Sequence, residues 1–175
     1  MRVYEWGPED GPKVLCLHGI TTPCVSLGAV AHGLVERGCR VMLLDLWGRG
    51  YSDGCADLPH DDRLYATEIL VALASSPLSW TGAGAGGGFC LVGYSMGGGI
   101  AAAFTSHFSH LVRSLVLLAP SGLVRPEHMH SRTKLLFAAA LVPERLMYWL
   151  IKRRLHAGPI RRPLTPAALL ASDAT

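Results

Sequence analysis

The sequence predicts an α/β domain built on a mostly parallel sheet flanked by helices. Three observations carry this. Four short apolar runs lack the alternation of a half-exposed strand, as expected for strands covered on both faces. Segments with helical spacing separate them. Each run ends in turn residues, giving the strand–helix rhythm of right-handed crossovers.

The strands are read in order. Val14-Leu15-Cys16-Leu17 ends in His18-Gly19, and Arg40 to Leu44 ends in Asp45. Phe89 to Val92 ends in Gly93, and Leu115 to Leu118 ends in Ala119-Pro120. A shorter run, Val3 to Trp6, is expected to pair antiparallel with Val14–Leu17 across the turn 7–12, which is rich in Gly and Pro.

Helices are expected between them. Ala29 to Arg37 has apolar residues at 30, 31, 34 and 35 and stops at Gly38, a helix C-terminal signal. Asp61 to Ala74 opens with two acids, favourable at a positive helix N-terminus, and should turn Leu64, Leu70, Val71 and Leu73 inward. Met96 to Phe108 is small and apolar, which suits close packing on a sheet. The glycine-rich run 81–88 precedes a strand, so it reads as a loop and not as a dinucleotide fingerprint.

Composition narrows the function. Half of the 175 residues are hydrophobic and 17% are charged, which excludes disorder of the whole chain. A net charge of +3 does not call for nucleic acid. Cys16, Cys24, Cys39, Cys55 and Cys90 form no Cys-x-x-Cys pair. They read as reduced thiols of a cytoplasmic protein, with neither a disulfide framework nor a metal site. The N-terminus lacks the apolar core of a secretory signal.

Three motifs carry the chemistry. Gly93-Tyr94-Ser95-Met96-Gly97 is G-x-S-x-G, directly after a buried strand and opening a helix, the context of a nucleophile elbow. Gly93 and Gly97 would let the turn close, and the helix N-terminus favours developing negative charge near Ser95. His18-Gly19-Ile20-Thr21 follows the first long strand, where Ile20 N–H and Met96 N–H together would form an oxyanion hole. His18 reads as a brace for that loop. Asp45-Leu46-Trp47-Gly48-Arg49-Gly50-Tyr51-Ser52 follows the second long strand, with Asp45 structural in preference to catalytic.

Together these motifs resemble the α/β-hydrolase superfamily, in its esterase, lipase and peptidase branch. The resemblance covers residues 1–120, read as the N-terminal part of the hydrolase core. It implies Ser95 as nucleophile, Ile20 and Met96 as oxyanion donors, and no cofactor. The implied function is serine hydrolysis of carboxylic ester or related acyl bonds. Serine at the elbow argues against the aspartate-nucleophile branch.

Serine chemistry needs a histidine base oriented by a carboxylate, and in this family both follow the serine in chain order. Neither is evident, and the fold's last strands are missing from the pattern. His107 and His110 fall about 15 Å from Ser95 along the helix it opens. His128, His130, His156 and Glu127 read as cap or surface residues. The chain thus reads as truncated, and the rival function is a non-catalytic or degenerate hydrolase-fold protein without the triad acid and histidine. Acyl transfer to an alcohol or thiol is a weaker third reading.

Residues 121–175 read as a partial helical cap, with amphipathic pieces at 133–142 and 144–155 and a basic run at Lys152-Arg153-Arg154. The plain reading is cap helices over the pocket. The sharper one is a lid in peripheral contact with a lipid surface. Either implies a small, apolar acyl substrate. The strand Leu115–Leu118 would become an exposed apolar edge unless another strand or partner covers it.

Overall fold

The computed structural model describes residues 1–54, 57–82 and 87–122. The expected cap at 121–175, its two amphipathic pieces, Glu127, His128, His130 and His156 lie outside the described residues except for Ser121 and Gly122. Cys55 also lies outside them.

Five strands are found: β1 (Arg2–Trp6), β2 (Lys13–Leu17), β3 (Arg40–Asp45), β4 (Phe89–Tyr94) and β5 (Val112–Leu118). They form one sheet in the order β1-β3-β2-β4-β5. All neighbours run parallel except β1, which is antiparallel to β3. The helices are α1 (Gly28–Glu36), preceded by a 3-10 turn at Cys24–Leu27, α2 (Asp62–Ser75) and α3 (Met96–His107).

The position of β1 corrects one expectation. It pairs with β3 and not with β2. Both flanks of β2 are taken by β3 and β4, and Val14 to Leu17 are buried. The half-exposed residues of β1 suit a sheet edge instead. Arg40 on β3 clips β1 in place, donating to Glu5 Oε1 at 3.0 Å and to the Gly7 carbonyl at 2.6 Å.

The sheet divides two apolar clusters. Leu15, Leu17, Met42, Leu44 and Leu91 pack under α2 and α3 with Ile69, Ala72, Phe89 and Phe104. On the other face Val14, Cys16, Val41, Leu43 and Val92 pack with Leu27 and Ala31. Four cysteines, Cys16, Cys24, Cys39 and Cys90, belong to or touch this second cluster as free thiols. Burial pushes the Cys16 thiol up to about 12, so it behaves as an inert apolar side chain.

The buried stripe of α2 differs from the one expected. Leu64 and Leu73 are buried, but Val71 is 45% exposed. The inward residues are Leu64, Tyr65, Glu68, Ile69, Ala72 and Leu73, a regular helical spacing that admits a buried glutamate. Asp61 caps this helix, accepting from the N–H groups of Arg63 and Leu64. In α1, Ala31 is buried but Val30 is exposed. As expected where no further strand covers it, β5 is an open edge among the described residues: Val116, Leu117 and Leu118 are 36–41% exposed.

Candidate active site

Ser95 sits between β4 and α3 with φ 52° and ψ −116°. A non-glycine residue adopts such a conformation only where its surroundings impose it. Hydrogen bonds on both sides do so. Ser95 N–H donates to the Leu118 carbonyl at 3.0 Å, and the Ser95 carbonyl accepts from Gly98 N–H at 2.9 Å and Ser121 N–H at 2.8 Å.

The glycines around Ser95 answer to close backbone approach. A Cβ on Gly93 would strike the Gly97 carbonyl and Gly98 Cα. One on Gly97 would lie 2.6 Å from the His18 carbonyl, and one on Gly98 2.7 Å from Pro120 Cβ. Real Cβ atoms do not approach so closely, so α3 can cross the ends of β2 and β5 only with hydrogen at these positions.

The His18–Thr21 loop lies against the serine. A Cβ on Gly19 would lie 3.3 Å from Ser95 Cβ. Gly97 N–H donates to the His18 carbonyl at 3.1 Å, tying the loop to the first turn of α3. Met96 N–H, at the first helical position, has no acceptor within the helix. Ile20 is 57% exposed in the same loop.

His18 itself is fully buried. Its Nε2 accepts from Leu46 N–H at 3.0 Å, and its Nδ1 lies 2.7 Å from the Gly19 carbonyl. A donor N–H at one nitrogen and a carbonyl at the other select the neutral tautomer with the proton on Nδ1. Burial lowers the His18 pKa, while the Gly19 carbonyl and Asp45 act the other way. Both ring nitrogens are thus engaged, and the imidazole joins the loops after β2 and β3.

Asp45 is also fully buried. Its carboxylate accepts from Cys24 N–H at 2.6 Å and from Tyr51 N–H at 2.9 Å. Its carbonyl accepts from the Ser52 hydroxyl. Gly50, at φ 55°, leaves room for the carboxylate, which a Cβ there would overlap. The spacing Asp45-x-x-Gly48-x-Gly50-x-Ser52 therefore encodes a self-bracing loop. Sequence reading marked its residues but could not see that Cys24 N–H closes it from the loop after β2.

The described histidines lie away from Ser95 or are occupied. His107 closes the far end of α3. The His60 ring meets the Tyr65 hydroxyl at 3.0 Å, and His32 packs against Trp6. Arg49 is a neighbour that sequence reading did not assign: its Nη2 lies 3.9 Å from Met96 Sδ. Among the described residues no group of His, Cys, Asp or Glu is arranged to hold a metal, and no helix is long and apolar enough to cross a membrane.

Comparison with known proteins agrees with this architecture. The chain is 30% identical over 128 residues to a serine hydrolase-like protein of Dictyostelium discoideum, covering 70% of this chain and 32% of that one. It is 31% identical over 134 residues to a serine hydrolase-like protein of Danio rerio, covering 73% and 36%. The chain thus spans about a third of the length of these relatives. Among solved structures, the thioesterase domain from the curacin biosynthetic pathway superposes with a TM-score of 0.60 at 26% identity, over 78% of this chain and 46% of that one. A family model described as serine aminopeptidase, S33, matches residues 9–173. With the mostly parallel sheet and the strand–serine–helix turn in place, the chain belongs to this family of α/β-hydrolases.

Proposed function

We propose that this chain carries the nucleophilic half of a serine hydrolase acting on carboxylic esters or related acyl bonds. The observation that carries the reading is the strained Ser95, held at the mouth of α3 beside the Gly19–Ile20 loop. Ser95 Oγ attacks the acyl carbon and gives up its proton to a base. The carbonyl oxygen takes the charge, held by Ile20 N–H and Met96 N–H. Collapse expels the alcohol with that proton, and water repeats the sequence on the acyl-enzyme. Gly93 and Gly97 shape the turn, Gly19 gives the loop its close approach, and His18 and Asp45 brace the loops. No cofactor enters this chemistry.

The base and its acid come from outside the described residues. The substrate class is a small acyl compound, and the four free thiols among the described residues suit a reducing, cytoplasmic setting. Peripheral membrane contact through residues 121–175 remains part of the proposal, with no nucleic acid involved.

The test is labelling by a fluorophosphonate probe, followed by peptide mapping. Modification at Ser95, absent in Ser95→Ala, together with ester turnover, supports the hydrolase. The rival reading, a non-catalytic hydrolase-fold protein, is favoured by the engagement of both His18 nitrogens and the distance of His107. It predicts an unlabelled Ser95 and no turnover.

A further inference from the structure

Arg49 projects from the loop after β3 toward the residue that follows the nucleophile. Its Nη2 meets Met96 Sδ at 3.9 Å, a thioether that is a weak acceptor. Its Nε is buried and has no hydrogen-bond partner, while the guanidinium's other polar neighbour is the Tyr65 hydroxyl. Among the described residues, the carboxylates within ion-pair distance of a basic side chain are Asp45, beside the neutral His18, and Glu5, beside Arg40, so none neutralises Arg49. Asp45, the acid of the same loop, is committed to the N–H groups of Cys24 and Tyr51. A guanidinium stays charged at every physiological pH, and a partly buried charge without a counterion is costly.

The unpartnered Nε and the Nη2 that meets only a thioether sulfur share one edge of the guanidinium. Nε and Nη2 together form the side-on fork that receives both oxygens of a carboxylate. Met96 Sδ meets the Nη2 arm of that fork, on a flexible thioether chain.

We propose that Arg49 is a specificity residue that binds a carboxylate on the substrate, close to the acyl carbon that Ser95 attacks. The proposal rests on the reading of Ser95 as nucleophile for the second half of that statement only. It narrows the substrate class from acyl compounds in general to half-esters and half-amides of short dicarboxylic acids. Met96 then links recognition to chemistry, since its side chain guards the fork and its N–H faces the developing oxyanion.

The test is calorimetric titration of the full chain with succinamate and with succinamide, neither of which requires turnover. Succinamate should bind at least tenfold tighter than succinamide. Arg49→Gln should erase the preference, and Arg49→Lys, which keeps the charge but not the fork, should retain a part of it. A circular dichroism spectrum shows that each variant is folded. Equal affinities, undetectable succinamate binding, or a preference that survives in Arg49→Gln would overturn the proposal. Fluorophosphonate labelling separates the two readings. Arg49-dependent binding with an unreactive Ser95 removes the hydrolase and leaves the carboxylate site. A reactive Ser95 without anion preference does the reverse.

Discussion

Ser121 N–H donates a 2.8 Å hydrogen bond to the carbonyl of Ser95, so the chain just beyond β5 holds the strained turn at the end of β4. With the bond from Ser95 N–H to the Leu118 carbonyl, it fastens the elbow to the edge strand of the described sheet. Backbone strain at Ser95 is thereby balanced by contacts from 23 and 26 residues downstream.

This strain predicts that Ser95→Gly is more stable than the natural chain. Glycine reaches φ 52°, ψ −116° without a Cβ penalty, and release of such strain is worth about 1–3 kcal/mol. Urea unfolding should show a higher midpoint with unchanged slope, alongside complete loss of probe labelling. A lower midpoint would mean that the turn stores no strain.

Gly50 and Asp45 make a second prediction. Gly50→Ala places a methyl group where the Asp45 carboxylate lies, at a positive φ that alanine disfavours. Displacing the carboxylate strands the N–H groups of Cys24 and Tyr51, at about 1–3 kcal/mol each when left unsatisfied. Asp45→Ala should cause a similar loss, and the double variant should lose much less than the sum of the two. Additive losses in that cycle would show that the two residues act separately.

Glu68 sets the pH dependence. It is fully buried with no side-chain hydrogen-bond partner, and burial raises its pKa from 4.5 to about 7, with the nearby Trp47 N–H acting in opposition. The native state keeps the proton over a range in which the unfolded chain has released it. Stability therefore falls as pH rises from about 4.5 through about 7, by about 3 kcal/mol in all. His18 works in the other direction: its lowered pKa costs stability as pH drops below the ordinary 6.5. Between about pH 6.5 and 7.5 the last part of the Glu68 loss is free of the His18 effect, and above that range it is complete. Glu68→Gln should flatten the decline between about pH 4.5 and 7.5 in denaturant titrations, whereas an unchanged slope there would assign the decline to other groups.

The open β5 strand predicts self-association. Val116, Leu117 and Leu118 are 36–41% exposed on a strand without a second neighbour among the described residues. Such an edge templates pairing with other chains. Val116→Lys should lower the sedimentation-derived mass at high protein concentration. Equal masses for both proteins would place the association elsewhere, or show that there is none.

Much of the architecture was legible because it is local. The apolar runs at Val14, Arg40 and Phe89 announced covered strands, the run at Leu115 announced a strand that is left open at the edge, and Gly38 and Asp61 marked helix ends through turn and cap chemistry. The placement of Ser95 between a strand and a helix followed from the glycines around it. Other features answer to partners far along the chain. Val3–Trp6 looked like the first arm of a hairpin because Val14–Leu17 is its sequence neighbour, yet Arg40 draws it to β3.

The sequence by itself determined the α/β class, the order of the elements and the three loops that gather near Ser95. Period, turn residues and caps act within a few residues of one another, so they can be read without coordinates. Only the tertiary structure decided that Glu68 is buried, that Asp45 reaches Cys24 N–H, that both nitrogens of His18 are engaged, and that Arg49 lies beside Met96 with no carboxylate partner among the described residues. Each of those facts depends on which distant backbone group or side chain occupies the neighbouring space. That choice is made by the packing of the whole sheet and its helices.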